Sequence, residues 1–262
     1  MKFIFSFLFL FFVSTHVSAF DHTHALFSKV LNKFVVENKQ SSLVKYKTLK
    51  REMSDLYDYL AEIQAVTKKE FDAFSNKQQL SYLINAYNAF TLKLIINHYP
   101  VKSIKDIGGL FSSPWKKMYF KVSGSYIHLD NLEHDLIRKK YDEPRIHFAL
   151  VCASIGCPSL MKEPFVADKL DKQLEASAIK FLSDQSKNRY LPKEKRLEIS
   201  SIFKWYGDDF NKKYGSYKNY ISSRITSDKE DQKMISSGIV DVKFLDYNWK
   251  LNEIQNGAAN KD

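Results

Sequence analysis

Residues 77–98, KQQLSYLINAYNAFTLKLIINH, form the longest stretch of the chain that keeps one period. Leu80, Leu83, Ile84, Tyr87, Phe90, Leu94 and Ile95 recur at intervals of three and four, which predicts a helix with an apolar face broad enough to be central and buried. Pro100 marks its end, because proline disfavours helical geometry in the residue before it. Asn85 and Asn88 lie three apart on this face. A buried amide without partners costs about 1–3 kcal/mol. The pair therefore either ties the helix to neighbouring backbone or positions a ligand at a cleft.

Before this helix, Leu26, Phe27, Val30, Leu31, Phe34 and Val35 predict an amphipathic helix over 24–37. Leu49, Met53, Leu56, Leu60 and Ile63 predict a second over about 48–64, and Thr67 with Glu70 has the capping-box spacing that opens a short one through Phe74. After it the period changes: Met118–Val122 and Tyr126–Leu129 flank Ser123-Gly124-Ser125 and read as a β-hairpin. Asp130 and Glu133 are placed to cap a helix running through Lys140. Ile146–Cys152, an unbroken apolar run, reads as a buried strand. A helix at about 166–184, strands at 189–191 and 196–200, two helices between 201 and 237 and a strand near 239–247 complete the pattern. The expectation is a single α+β domain with a central buried helix against a mainly antiparallel sheet. Residues 20–75 would form a helical N-terminal subregion, 76–252 the core and 253–262 a flexible tail.

Of 262 residues, 44% are hydrophobic and 15% aromatic, with only 8 Gly and 6 Pro, which excludes fibrous and low-complexity classes. At the N-terminus Lys2 precedes the apolar run Phe3–Val13, and Val17-Ser18-Ala19 has the small-x-small pattern of a signal-peptidase site. The run is too short to span a bilayer. Residues 1–19 thus read as a signal peptide, and the mature protein as soluble, periplasmic or secreted. The net charge of +10, reduced by the loss of Lys2, is spread along the chain, so a solvated surface is expected and not a nucleic-acid interface.

No phosphate-binding loop, dinucleotide fingerprint, HExxH helix, EF-hand loop or GxSxG elbow is present. No cofactor or metal is expected. The remaining candidates are few. Glu133 and His134 are adjacent on the helix after the hairpin, where an α-helical projection sends them about 100° apart. Arg145, His147, Cys152 and Cys157 follow. In an unbroken strand the offset of five sets His147 and Cys152 on opposite faces, so a direct Cys–His pair needs a bulge or an early strand end. His134 is an equally placed base, and Arg145 would suit a carboxylate or pair with a surface acid. His98 and His128 read as structural or exposed. Cys152 and Cys157, the only cysteines, have the spacing of neither a CxxC redox motif nor a four-ligand zinc site. In an oxidising compartment a pair this close commonly forms a disulfide.

The texts YLINAYNAF (82–90), IHLDNLEHDLIR (127–138), PRIHFALVCASIGCPSL (144–160), SIFKWYGDDF (201–210) and FLDYNWKLN (244–252) resemble, in content and order, the family DUF547, a domain of unknown function. The resemblance covers about residues 26–252 and implies an exported bacterial member. Some eukaryotic members resemble fusions to glutaredoxin-like domains, which hints at thiol chemistry. Part of the family is distantly similar to papain-like and transglutaminase-like folds. Such a fold would place its nucleophile near position 85, where Asn85 cannot attack a carbonyl, so the domain would be a binder derived from an enzyme.

Three functional expectations stay open. One is cysteine-dependent acyl transfer or hydrolysis on envelope peptides, with Cys152 as nucleophile, His147 or His134 as base, and Glu133 or Asn88 orienting that base. Another is a ligand-binding or assembly module in which Asn85, Asn88 and Arg145 help hold a small molecule, peptide or envelope ligand and Cys152–Cys157 is a staple. The third is a dithiol redox protein.

Overall fold

The computed structural model describes residues 19–37, 41–109 and 112–254; residues 1–18 of the expected signal peptide lie outside them. Helix α1 (Ala25–Phe34) stops three residues earlier than its periodicity predicts. The chain then extends into strand β1 (Val35–Glu37), paired antiparallel with β2 (Ser42–Val44). The helix expected at about 48–64 is two helices, α2 (Tyr46–Arg51) and α3 (Ser54–Ala65), broken at Glu52–Met53, which leaves Met53 exposed. Thr67 caps α4 (Lys68–Ala73), its hydroxyl accepting the Glu70 N–H at 3.2 Å.

Helix α5 (Asn76–His98) is the centre of the fold. Ser75 and Gln78 close a capping box at its start, and Tyr99 is extended ahead of Pro100. From Leu80 to Ile96 nearly every side chain is buried, so the helix is enclosed on all sides. Helix α3 packs on one side, and the hairpin β3 (Phe120–Val122)–β4 (Ser125–Ile127) on another, with the Phe90 and Phe120 rings stacked at 3.6 Å.

The hairpin feeds one α-helical turn, α6 (Leu129–Asn131), which runs into a π-helical stretch, Leu132–Arg138. Its cap is His128, not Asp130: the imidazole Nδ1 accepts the Asn131 N–H at 3.1 Å. The expected strand 146–152 does not form. Pro144 instead opens a short 3₁₀ helix, Pro144–Phe148, whose Arg145 N–H is accepted by Glu143, and the following residues are irregular. Ile146, Ala149 and Leu150 enter the core around α5, while Phe148 enters a second core with Phe203 and Phe210. A segment that must bury side chains in opposite directions within three residues is better served by a tight turn than by a pleat.

Helix α7 (Leu170–Leu182) follows, then β5 (Arg189–Leu191) and β6 (Arg196–Ser200), antiparallel as expected. Three helices, not two, come next: α8 (Ile202–Tyr214), α9 (Tyr217–Ile225) and α10 (Lys229–Ser236). Strand β7 (Asp241–Leu245) joins β6 in parallel. The chain then crosses back to the first core, where the Leu251 N–H donates to Lys102 and the Ile254 N–H to Val44. Glu253 and Ile254 are therefore held, although they were expected to begin the loose tail; 255–262 lie outside the described residues.

Candidate functional site

The two cores meet at a cleft of about 270 Å³. Helix α5 supplies Tyr87, the turn before the hairpin Trp115, the π-helical stretch Glu133 and His134, and the 3₁₀ helix His147. Helix α8 supplies Trp205 and Tyr206, and the irregular segment after β7 supplies Tyr247 and Trp249. Cys152 and Cys157 form part of the wall.

Sulfur atoms of Cys152 and Cys157 are bonded to each other. The turn that brings them together holds Ala153 at φ 58°, a left-handed conformation unusual for a residue with a Cβ. Gly156 in the same turn has no room for a side chain, since a Cβ would come within 3.0 Å of the Asn248 nitrogen and the Tyr247 ring. That close approach lets the Ile155 and Gly156 N–H groups donate to Lys250 and Asn248, both at 2.8 Å. It also sets the Tyr247 hydroxyl 3.2 Å from the Cys152 sulfur and 3.1 Å from that of Cys157.

His147 is buried, stacked on Tyr206 with ring centres 3.9 Å apart, and its Nε2 meets Asp209 Oδ2 at 2.7 Å. Arg138 grips the same carboxylate with two bonds, Nε to Oδ2 at 2.8 Å and a terminal nitrogen to Oδ1 at 2.9 Å. Burial pulls the His147 pKa below its usual value, opposed by the Asp209 bond. For Asp209 burial acts upward, but the hydrogen bonds from His147 and Arg138 outweigh it and hold the carboxyl well below the usual range. A third Arg138 nitrogen lies 3.0 Å from His134 Nδ1. Guanidinium can only donate, so that nitrogen of His134 accepts and its proton is on Nε2.

Glu133 is nearly buried in the cleft lining, beside Tyr87 and Tyr206. Burial first, then the Glu133 charge, push both phenols far above their ordinary pKa. The wider π-helical turn presents Glu133 and His134 to one cleft although they are neighbours in sequence.

Glu133, His134, His147, Cys152 and Cys157 thus converge, but the other candidates lie elsewhere. Asn85 gives both halves of its amide to Phe165, donating to the carbonyl at 2.7 Å and accepting the N–H at 3.0 Å. Asn88 does the same for the Ala149 carbonyl, at 2.9 Å, and the Val151 N–H, at 3.0 Å. Both side chains are buried against backbone, and neither lines the cleft. Arg145 points to a different face, saturated by Glu143, Asp171 and Glu175. Asp209, Arg138 and the aromatic lining have no signal in spacing; only the density of aromatic and acidic residues in WYGDDF and DYNW points to Asp209 and the rings, and nothing comparable points to Arg138. Among the described residues no group of three or more His, Cys, Asp or Glu side chains is arranged to hold a metal ion, and no helix is long and apolar enough to cross a membrane.

Compared with known proteins, residues 71–182 match the profile of the family described as "Protein of unknown function, DUF547". No curated protein and no solved structure matches the chain.

Proposed function

We propose, for a chain whose residues 71–182 belong to the DUF547 family, that the cleft is a non-catalytic binding site for an organic cation on an exported protein. The bond between Cys152 and Cys157 carries this reading: in that state Cys152 has no thiolate with which to attack an acyl group. A disulfide also fits an oxidising compartment outside the cytosol. The ligand class follows from the lining. Glu133 is a nearly buried carboxylate in a lining otherwise rich in aromatic rings, those of Tyr87, Trp205, Tyr206, Tyr247 and Trp249. Aromatic faces attract ammonium groups, and a desolvated carboxylate among them adds the opposite charge. Trp249 already carries the Lys105 ammonium 4.0 Å from its ring centre.

Titration of the unreduced protein with choline and with spermidine, followed by tryptophan fluorescence, tests this. Saturable binding that weakens about tenfold or more in Glu133→Gln is expected, with no response to glucose. Binding of equal strength in the variant, or of glucose alone, rejects the cation. Two thiols alkylated by iodoacetamide in freshly isolated, unreduced protein would return the cleft to cysteine or dithiol chemistry.

A further inference from the structure

Outside the cleft, several features converge on the backbone nitrogen of Phe20. Its N–H donates to Glu70 Oε1 at 3.1 Å. Glu70 is the residue that would complete the capping box with Thr67 as Gln78 does with Ser75, yet its carboxylate is turned to Phe20 instead. The Phe20 ring is fixed edge-on to His24 and Tyr82 and tilted against Phe74. Beside the nitrogen lies a niche of about 170 Å³ lined by Asp21, Glu62 and Glu70. Glu62 Oε2 is buried with no hydrogen-bond partner. Burial, then Asp21 and Asp58, push the Glu62 carboxyl upward, and no cation counters them. Asp21 is already engaged by Thr23 and the Ala25 N–H.

We infer that the Ala19–Phe20 peptide bond is a processing site and that the α-ammonium group freed on Phe20 is the cation held between Glu70 and Glu62. The inference rests on the signal-peptidase pattern at Val17-Ser18-Ala19 and is independent of the cleft. A host signal peptidase adds water across the bond. The hydroxyl goes to the Ala19 carbonyl carbon, the C–N bond breaks, and the Phe20 nitrogen leaves with the hydrogen and takes up a further proton at neutral pH. One amide donor becomes an ammonium with three. The bond to Glu70 is kept and becomes charge-assisted, and the orphan oxygen of Glu62 gains a donor. Cleavage one residue later would remove the anchoring ring, and cleavage one residue earlier would leave the nitrogen that meets Glu70 an amide.

The full chain should be exported from a bacterial host and its intact mass measured. A mass beginning at Phe20 is expected; any other first residue overturns the site. For docking, the processed protein is treated with limiting acetic anhydride from pH 6 to 10, and acetylation of the N-terminal peptide is read by mass. An ordinary α-amine titrates near roughly 8. The Phe20 amine should titrate at least one unit higher than in Glu70→Gln, and Glu62→Gln should give a smaller shift in the same direction. Each variant is first shown to melt cooperatively, so that either one alone can decide. Equal midpoints in wild type and variants overturn the docking while leaving the cleavage result standing.

Discussion

The imidazole of His147 lies flat on the Tyr206 ring, 3.9 Å between centres and 13° between planes, in a stack that joins the 3₁₀ helix to α8. The stack is locked at one end by Asp209, which accepts from both His147 and Arg138. Two neighbouring elements, the π-helical stretch and the 3₁₀ helix, are thereby clamped to the distant α8 around one carboxylate.

Asp209→Asn should loosen that clamp. The pair with Arg138 is roughly a quarter exposed on each side, so the loss is set below the value for a fully buried pair. A destabilisation of about 2 kcal/mol in urea unfolding at pH 7 is expected. The depressed Asp209 pKa means that this contribution is present above the unfolded carboxylate value near 4 and disappears as pH falls below it. A change under about 0.5 kcal/mol at neutral pH would assign the clamp no energetic role.

Asn88→Ala strands the Ala149 carbonyl and the Val151 N–H in a dry core. At about 1–3 kcal/mol for each unsatisfied group, a loss of about 3 kcal/mol is expected. Asn88→Asp should be no better, because a carboxylate cannot donate to the Ala149 carbonyl. If Asn88→Asp matched wild type in chemical denaturation, the backbone-bracing role would be wrong.

Cys157→Ser opens a loop of four intervening residues. The chain-entropy relation gives about 2 kcal/mol for so short a loop. The denatured variant should take up one equivalent of iodoacetamide without reductant, where the parent takes up none. A variant as stable as the parent would mean that the staple contributes little beyond shaping the cleft wall.

His24 is buried, with Nδ1 2.7 Å from the Tyr59 hydroxyl and Nε2 without a partner. Burial, reinforced by His22, lowers its pKa from 6.5 to about 3. Below pH 6.5 the unfolded chain binds a proton that the folded chain refuses, so stability falls with pH until about 3. Relative to pH 7.5, this group alone should remove about 2 kcal/mol by pH 5. His24→Asn, which tolerates the positive φ of 53° at this position, should flatten the melting-temperature profile between pH 7 and 5. An identical slope in the variant would place the acid sensitivity elsewhere.

Local signals in the sequence decided the elements that local physics decides. Period and capping residues located α5 and α4, the Ser123-Gly124 turn located the hairpin, and five-residue separation brought the two cysteines within bonding reach. The α+β class followed from those elements. Only the tertiary structure decided the fate of 146–152, because a continuous apolar run has no period to separate a strand from a tight helical turn. Burial in two cores at once settled it. It alone also divided the asparagines from the cleft. The sequence marks Asn85 and Asn88 as buried polar groups, but whether backbone or ligand satisfies them depends on Phe165 and Ala149, 80 and 61 residues away. Asp209, 62 residues from His147, has no spacing that assigns it a partner, because its role exists only where two separately folded elements meet.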